Sequence, residues 1–206
     1  MAHSLRCVVP LLALGLVAAG AVQKSTKVDF KKSLESAQKA YDTKAYGAAL
    51  RDLRGALGVL SQLRVEAIRQ TLPAAPAGLK FEDQHTDQGA LGMFGAGNEV
   101  QRNYQDSSGE KRMNLRVQAD SPLIGAMLAM LTNPAVLQAD PNAELLEYGK
   151  HKAVLHLDKA EKTCRLQIVI ENAHLVEVDT NGLTRDELLK VFDDAAVEKI
   201  AKELTN

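Results

Sequence analysis

Three acidic and imidazole side chains alternate along one short segment of the sequence, Asp83, His85 and Asp87. In an extended strand, alternate residues point to the same face, so these three would lie together. Two carboxylates and an imidazole can bind a divalent metal, and they can also transfer protons in hydrolysis. Three polar residues alternating along a strand are far more often the solvated face of an edge strand. Two interpretations therefore stay open here: a metal-dependent or acid/base hydrolase, and an ordinary strand face.

A glycine-rich segment follows at Gly89–Gly97. A phosphate-binding loop would need a helix after it and a lysine beside it, but a predicted strand follows and the nearest basic residue is Arg102. The large apolar residues of the segment are Leu91, Met93 and Phe94. They either pack into the domain's own core or, because glycines make an ordered loop entropically costly, open to meet a partner. We predict that these three residues contact a protein partner or a small apolar ligand.

The remaining reactive residues do not form a catalytic motif. His151 and His156 are five residues apart, so a continuous strand places them on opposite faces, where they cannot share a metal. Cys164 alternates with Leu166 and Ile168, which predicts a buried thiol. The Gly-x-Ser-x-Gly motif is absent. We therefore expect no catalytic residue and no cofactor, and we favour a binding or accessory role over an enzyme.

The first 21 residues have the pattern of a secretory signal peptide. Arg6 is followed by the apolar run Val8–Val17 and then by small residues at Ala18–Ala21. The uncharged run Cys7–Val22 is 16 residues long, which is short of the roughly 20 needed to span a bilayer. We expect cleavage near Ala21, no transmembrane anchor after processing, and a periplasmic or secreted protein.

The charge of the remaining chain is close to neutral. Beyond Gly20 there are 24 basic and 26 acidic residues, since Arg6 is the only charged residue before it. No basic tract remains, so the sequence does not predict binding to nucleic acid or to anionic lipid. The 46% of hydrophobic residues and 25% of charged residues are typical of a globular protein with one ordinary core.

The residues at 22–72 are predicted to form a helical hairpin. Phe30, Leu34, Ala37 and Tyr41 recur at helical spacing, and after a break a second apolar stripe runs up to Pro73. This stripe comprises Tyr46, Ala49, Leu50, Leu53, Leu57, Leu60, Ala67 and Ile68. The pattern from Ala37 to Leu57 resembles a single tetratricopeptide-type unit. No second copy follows at the repeat period, so a solenoid is not predicted.

A proline- and alanine-rich linker at 73–78 leads into a predicted sheet domain at 79–206. Period-two patterns predict two groups of three strands, with a helix beginning near Asp120-Ser121-Pro122 after the first group and another after Thr184 at the end. A loop leads through Glu144–Tyr148 into the second group. The strands are predicted at Leu79–Asp83, Glu99–Gln105, Lys111–Gln118, Lys152–Asp158, Cys164–Ile170 and His174–Val178. The predicted fold class is α+β: a helical hairpin followed by an antiparallel-sheet sandwich with two helices.

This order of elements, β β β α β β β α after a helical hairpin, resembles the PsbP-like fold. That fold occurs in exported subunits of photosystems and in bacterial relatives of unknown role. The junction from Leu72 to Gly78 and the Asp120-Ser121-Pro122 segment are similar to those of a group of exported bacterial proteins. The resemblance implies an exported α+β domain and carries no catalytic motif.

Overall fold

The computed structural model describes residues 18–84, 98–120, 124–125, 133, 140–158 and 163–206, with side chains from Asp29 onward. Two compact units divide the chain between Leu60 and Ser61. The division falls inside the second helix, and the linker at 73–78 lies within the second unit.

The first unit contains an antiparallel helical hairpin. Helix α1 spans Ala18–Asp42 and helix α2 spans Tyr46–Thr71, so α1 begins 12 residues before the apolar spacing that predicted it. The turn between them places Lys44 at a φ of 59° and closes with a bond from the Ala45 amide to the Ala40 carbonyl, 2.8 Å long. Such a left-handed residue just after a helix satisfies the last carbonyl groups and reverses the chain.

Small residues form the seam of this hairpin. Ala37 on α1 is buried, as are Ala49 and Ala56 on α2. A Cβ added at Gly55 would lie 3.6 Å from Ser33 Oγ, so the two helices approach closely there. The large residues predicted in the same stripes, Leu50, Leu53, Leu57 and Leu60 among them, remain exposed because the small residues occupy the seam.

The second unit is built on an antiparallel sheet, as the sequence predicted, and the sheet has seven strands in the order β1-β2-β3-β7-β6-β5-β4. The strand beyond the six predicted ones is β4. Two meanders, β1 to β3 and β4 to β7, join through the pairing of β3 with β7. The strands are β1 (Lys80–Gln84), β2 (Asn98–Gln105), β3 (Arg112–Ala119), β4 (Ala143–Tyr148), β5 (His151–Leu157), β6 (Thr163–Ile170) and β7 (His174–Asn181).

One face of this sheet carries the hydrophobic core. Alternate residues of the central strands point to it, and Cys164, 2% exposed, lies among them as predicted. The residues from Ser61 to the end of α2, together with two C-terminal helices, cover this face. The core includes Ile68, Leu72, Tyr104, Met113, Leu115, Leu155, Leu166, Ile168, Val178, Leu188, Phe192, Ile200 and Leu204.

The C-terminal segment forms two helices where the sequence predicted one. Helix α3 spans Arg185–Val191, with the predicted capping box between Thr184 and Glu187. Helix α4 spans Asp194–Thr205, and the Asp193 carboxylate accepts a 2.8 Å hydrogen bond from the Ala196 amide. This second N-cap interrupts the helix and turns the chain, while Phe192 and Val197 on either side of it both remain in the core.

A buried histidine links β7 to the residue that follows β3. His174 is 4% exposed, and its Nδ1 accepts a 3.1 Å hydrogen bond from the Asp120 amide, so this nitrogen carries no proton. Burial lowers the pKa of His174, and the nearby Asp120 carboxylate offsets this only in part. The folded protein therefore favours the neutral imidazole.

The pH dependence of stability follows from this pKa shift. The unfolded chain takes up a proton on His174 near its ordinary pKa of about 6.5, whereas the folded chain does so only at lower pH. The stabilisation is therefore present above pH ~6.5 and is lost as the pH falls towards the folded pKa. Urea unfolding from pH 7.5 to 5 should show a smaller loss of stability for His174→Gln than for the wild type. His156→Gln, at a half-exposed histidine, is the control. Equal slopes for wild type and His174→Gln would contradict this assignment.

Candidate functional site

Asp83, the first residue of the predicted metal cluster, lies opposite Arg102 in the pairing of β1 with β2. Its carboxylate accepts two hydrogen bonds from the Arg102 guanidinium, one from Nε at 2.5 Å and one from Nη2 at 2.9 Å. Arg69 Nε approaches the same carboxylate at 3.7 Å. Asp83 is thus held between two guanidinium groups, and its charge is neutralised within the fold.

Arg102 also caps the C-terminal end of α2. Its Nη2 donates to the Arg69 carbonyl at 3.2 Å, and its Nη1 donates to the carbonyls of Leu72 and Pro73 at 3.5 and 3.4 Å. Burial opposes the charge of Arg102, but the hydrogen bond and charge of Asp83 outweigh it, and the pKa of the guanidinium is raised. A positive group at this place is favourable because the last carbonyls of a helix carry partial negative charge. We call Arg102 with Asp83 and these three carbonyls the arginine clamp.

The other residues of the predicted sites lie outside the described part of the chain. They are His85 and Asp87 of the Asp/His cluster, and Leu91, Met93 and Phe94 of the glycine-rich segment. Within the residues that the structure does describe, no group of three or more histidine, cysteine, aspartate or glutamate side chains could hold a metal ion. Asp83 is the one residue of the predicted cluster that the structure describes, and its carboxylate is bound by Arg102 in the arginine clamp.

The two histidines of β5 face opposite sides of the sheet, as their spacing predicted. His151 is buried on the core side at 3% exposure. His156 lies on the other side, where its Nδ1 is 3.0 Å from Asp140 Oδ2. The amide of Asn142 and then the His156 side chain lower the pKa of Asp140. A carboxylate can orient an imidazole for base catalysis, but the residue paired with His156 on β6 is Arg165, not a nucleophile.

The polar side of the sheet has an open depression that the sequence analysis did not identify. It has a volume of about 370 Å³ and spans β2, β3 and β7. Asn114 Nδ2 donates to Asn103 Oδ1 across the strands, and Asp179 accepts a 2.6 Å bond from Arg165 Nε. The polar side chains of the lining could hydrogen-bond a polar ligand, although the Thr180 hydroxyl already donates to the Cys164 carbonyl at 3.3 Å. They belong to Asn103, Gln105, Arg112, Asn114, Asp179, Thr180 and Asn181.

A larger surface feature lies on the helical hairpin of the first unit. Seven large apolar side chains are 40–62% exposed there, although their spacing did not distinguish them from the residues of the seam. The Tyr41 and Tyr46 rings, one from each helix, are 5.9 Å apart at the turn. Along α2 the residues recur at alternating spacings of four and three, which keeps them on one side. We call this surface the hairpin apolar face: Leu34, Tyr41, Tyr46, Leu50, Leu53, Leu57 and Leu60.

Comparison with known proteins gives little further information. No family model matches the chain, and no curated protein matches it. The crystal structure of protein CV1439 from Chromobacterium violaceum is similar at 8% sequence identity, with a TM-score of 0.22. The match covers 69% of this chain and 88% of that chain. A TM-score this low supports no argument about fold or function.

The arginine clamp makes a strong prediction about stability. Replacing Arg102 with Met removes both guanidinium hydrogen bonds from Asp83 and one donor from each of the three carbonyls, at a site where the arginine side chain is only 8% exposed. Breaking a buried pair in this way should lower the free energy of unfolding by about 3–5 kcal/mol. Urea unfolding measures the change.

Arg165→Met is the matched control. Arg165 pairs with Asp179 at 2.6 Å, a distance similar to that in the clamp, but its side chain is 57% exposed. An exposed pair contributes about 0–1 kcal/mol. Equal destabilisation by the two substitutions would show that the clamp is an ordinary surface ion pair.

Proposed function

We propose that this chain is an exported, non-enzymatic binding or accessory protein of the cell envelope, and that the hairpin apolar face is its binding surface. The supporting observation is the exposure of seven large apolar side chains on one side of a helix pair. Scattered exposed leucines are common in soluble proteins, but a contiguous apolar patch marks an interaction surface. Leu57, at 62% exposure, is the most exposed leucine of this patch.

The residue pattern at Met1–Ala21 supports export, with Arg6 before an apolar run and small residues after it. Through export, the mature protein would act in the periplasm or outside the cell. Among the helices that the structure describes, none is long and apolar enough to cross a membrane.

The charged and polar residues of the second unit support binding over catalysis. Asp83 is neutralised by Arg102, and the oriented imidazole of His156 has an arginine as its cross-strand neighbour. A hydrolase site of the predicted kind would need His85, Asp87 and a second carboxylate other than Asp83. No contact of the described residues favours that alternative, so we propose the binding role alone.

Two finer proposals come from the sequence. Leu91, Met93 and Phe94 would add a second contact for a partner or a small apolar ligand, since a glycine-rich segment can open at little cost. The order of strands and helices supports a relation to exported PsbP-like domains. Both proposals are compatible with a binding role and neither requires an active site.

Thiol labelling in intact cells tests the proposed function. Leu57→Cys places a thiol on the hairpin apolar face, and Leu145→Cys places one on β4 at a similar exposure of 59%. Cys164 is buried and should react slowly. With a reagent that does not cross the inner membrane, we expect Leu145→Cys to label equally fast in cells and as purified protein. Leu57→Cys should label fast when purified and at least tenfold more slowly in cells, because a binding partner covers it.

Three results would contradict the proposal. Slow labelling of purified Leu57→Cys would mean that the chain's own residues cover the face. Equal rates for Leu57→Cys in cells and in purified form would mean that nothing binds there. Failure of Leu145→Cys to label in intact cells, with labelling after lysis, would refute export.

A further inference from the structure

We infer that the hairpin apolar face docks on an anionic lipid surface. This inference rests on the proposed function and specifies the partner. Its two supports are independent of each other: the geometry of the exposed apolar residues, and the distribution of charge between the two units of the chain.

The geometry gives a surface that can enter the boundary between lipid headgroups and acyl chains. Because alanine, glycine and serine form the seam of the hairpin, the leucines of both helices remain outside it. Tyr41 and Tyr46 lie together at the turn, with their rings 5.9 Å apart and both more than half exposed. Tyrosine is enriched where an apolar phase meets water because its ring is apolar and its hydroxyl is polar. A helix with this division of residues can lie in the plane of a membrane surface.

The charge distribution selects an anionic surface. Residues 22–60 contain eight basic and four acidic residues, a formal charge of +4, whereas residues 61–206 contain 16 basic and 22 acidic residues, a formal charge of −6. The near-neutral charge of the whole chain conceals the difference in charge between these two parts. The whole-chain charge therefore did not predict binding to anionic lipid. Juxtaposed basic residues strengthen the attachment of an apolar face to anionic lipid.

Basic side chains also border the face itself. Lys31 is three residues before Leu34, and Arg54 is four residues after Leu50 and three before Leu57, so both lie beside the exposed leucines. Lys44 is in the turn between the two tyrosines. All three are exposed. Long basic side chains of this kind can cover apolar surface with their methylene groups and place the charge at the headgroups.

The same charges disfavour a second copy of the chain as the occupant. An antiparallel pairing of two α2 helices about Leu53 would bring Arg54 of each copy near the axis. It would also join two hairpins that each carry a formal charge of +4. Like charges across a helix interface are destabilising, and the formal charge of +4 already includes the four acidic residues of the hairpin.

Vesicle co-sedimentation of the exported protein tests the inference. We expect binding to vesicles of phosphatidylglycerol and phosphatidylcholine in equal parts. Binding should be at least tenfold weaker to vesicles of phosphatidylcholine alone. Binding to the anionic vesicles should also weaken as salt is raised from about 0.05 to about 0.5 M, because salt screens the attraction between exposed charges. All variants share one N-terminus, so any contribution of residues 1–28 is common to them.

Two matched pairs of variants assign the binding to the hairpin. Leu57→Glu should weaken binding to the anionic vesicles at least tenfold, while Leu145→Glu, at a similarly exposed leucine of β4, should leave it within twofold. Arg54→Glu should also weaken binding, whereas Lys80→Glu, at an exposed residue of β1, should not. Far-UV circular dichroism establishes that each variant is folded.

The outcomes separate this inference from the proposed function. Absence of binding to anionic vesicles, or equal loss in Leu57→Glu and Leu145→Glu, overturns the lipid surface as the partner. Dimerisation of the wild type that Leu57→Glu abolishes, with no vesicle binding, would assign the face to a second copy. Binding of a protein through Leu57 without vesicle binding would assign it to a protein partner. In both of these cases the binding role stands while the lipid inference fails.

Discussion

The arginine clamp is the interaction on which the arrangement of the second unit depends. The guanidinium of Arg102, a residue only 6% exposed, neutralises Asp83 on the edge strand and donates to the carbonyl groups of Arg69, Leu72 and Pro73 at the end of α2. Tyr104 donates a 2.8 Å hydrogen bond to the same Pro73 carbonyl, and burial raises the pKa of its hydroxyl to about 12. These hydrogen bonds join the end of α2 to strands β1 and β2. If they were lost, buried polar groups at this site would lose hydrogen-bond partners, which is energetically costly.

The hairpin of the first unit follows a different constraint. Helices that meet through alanine, glycine and serine gain close contact and bury little apolar area. The leucines and tyrosines then remain in water, where their exposure is unfavourable by about 25 cal/mol for each Å² that could have been buried. We propose that another surface covers these residues in the cell. The small residues of the seam thus leave the leucines and tyrosines available for binding.

The sequence predicted the sheet well and the surfaces less well. Period-two alternation located six of the seven strands and the burial of Cys164, because one face of each of these strands is apolar. It did not predict β4, most of whose residues are exposed or half-exposed. The break at Asp193 was missed, although Phe192 and Val197 are five residues apart, a step that would place Leu188 and Val197 on opposite sides of one continuous helix. The role of Asp83 was also missed, since its partner Arg102 is 19 residues away and meets it only through strand register.

The leucines of α2 show that helical spacing does not predict which side of a helix is buried. Their spacing predicted an apolar side of the helix, and the structure has one. Spacing alone could not tell whether that side or the adjacent alanine side would meet α1. Ala49 and Ala56 adjoin Leu50, Leu53 and Leu57 on the helix surface, so both sides are compatible with the same stripe. In the structure the alanine side meets α1, and Gly55 lies close to the Ser33 side chain there.

Amide hydrogen exchange with and without anionic vesicles tests the central claim most directly. The claim is that the chain attaches through one side of its helical hairpin while the sheet unit remains in water. Peptides from Leu34 to Leu60 should become protected when vesicles are added, and peptides from β1 to β7 should exchange at unchanged rates. Protection in the strands, or unchanged exchange throughout the hairpin, would contradict the account.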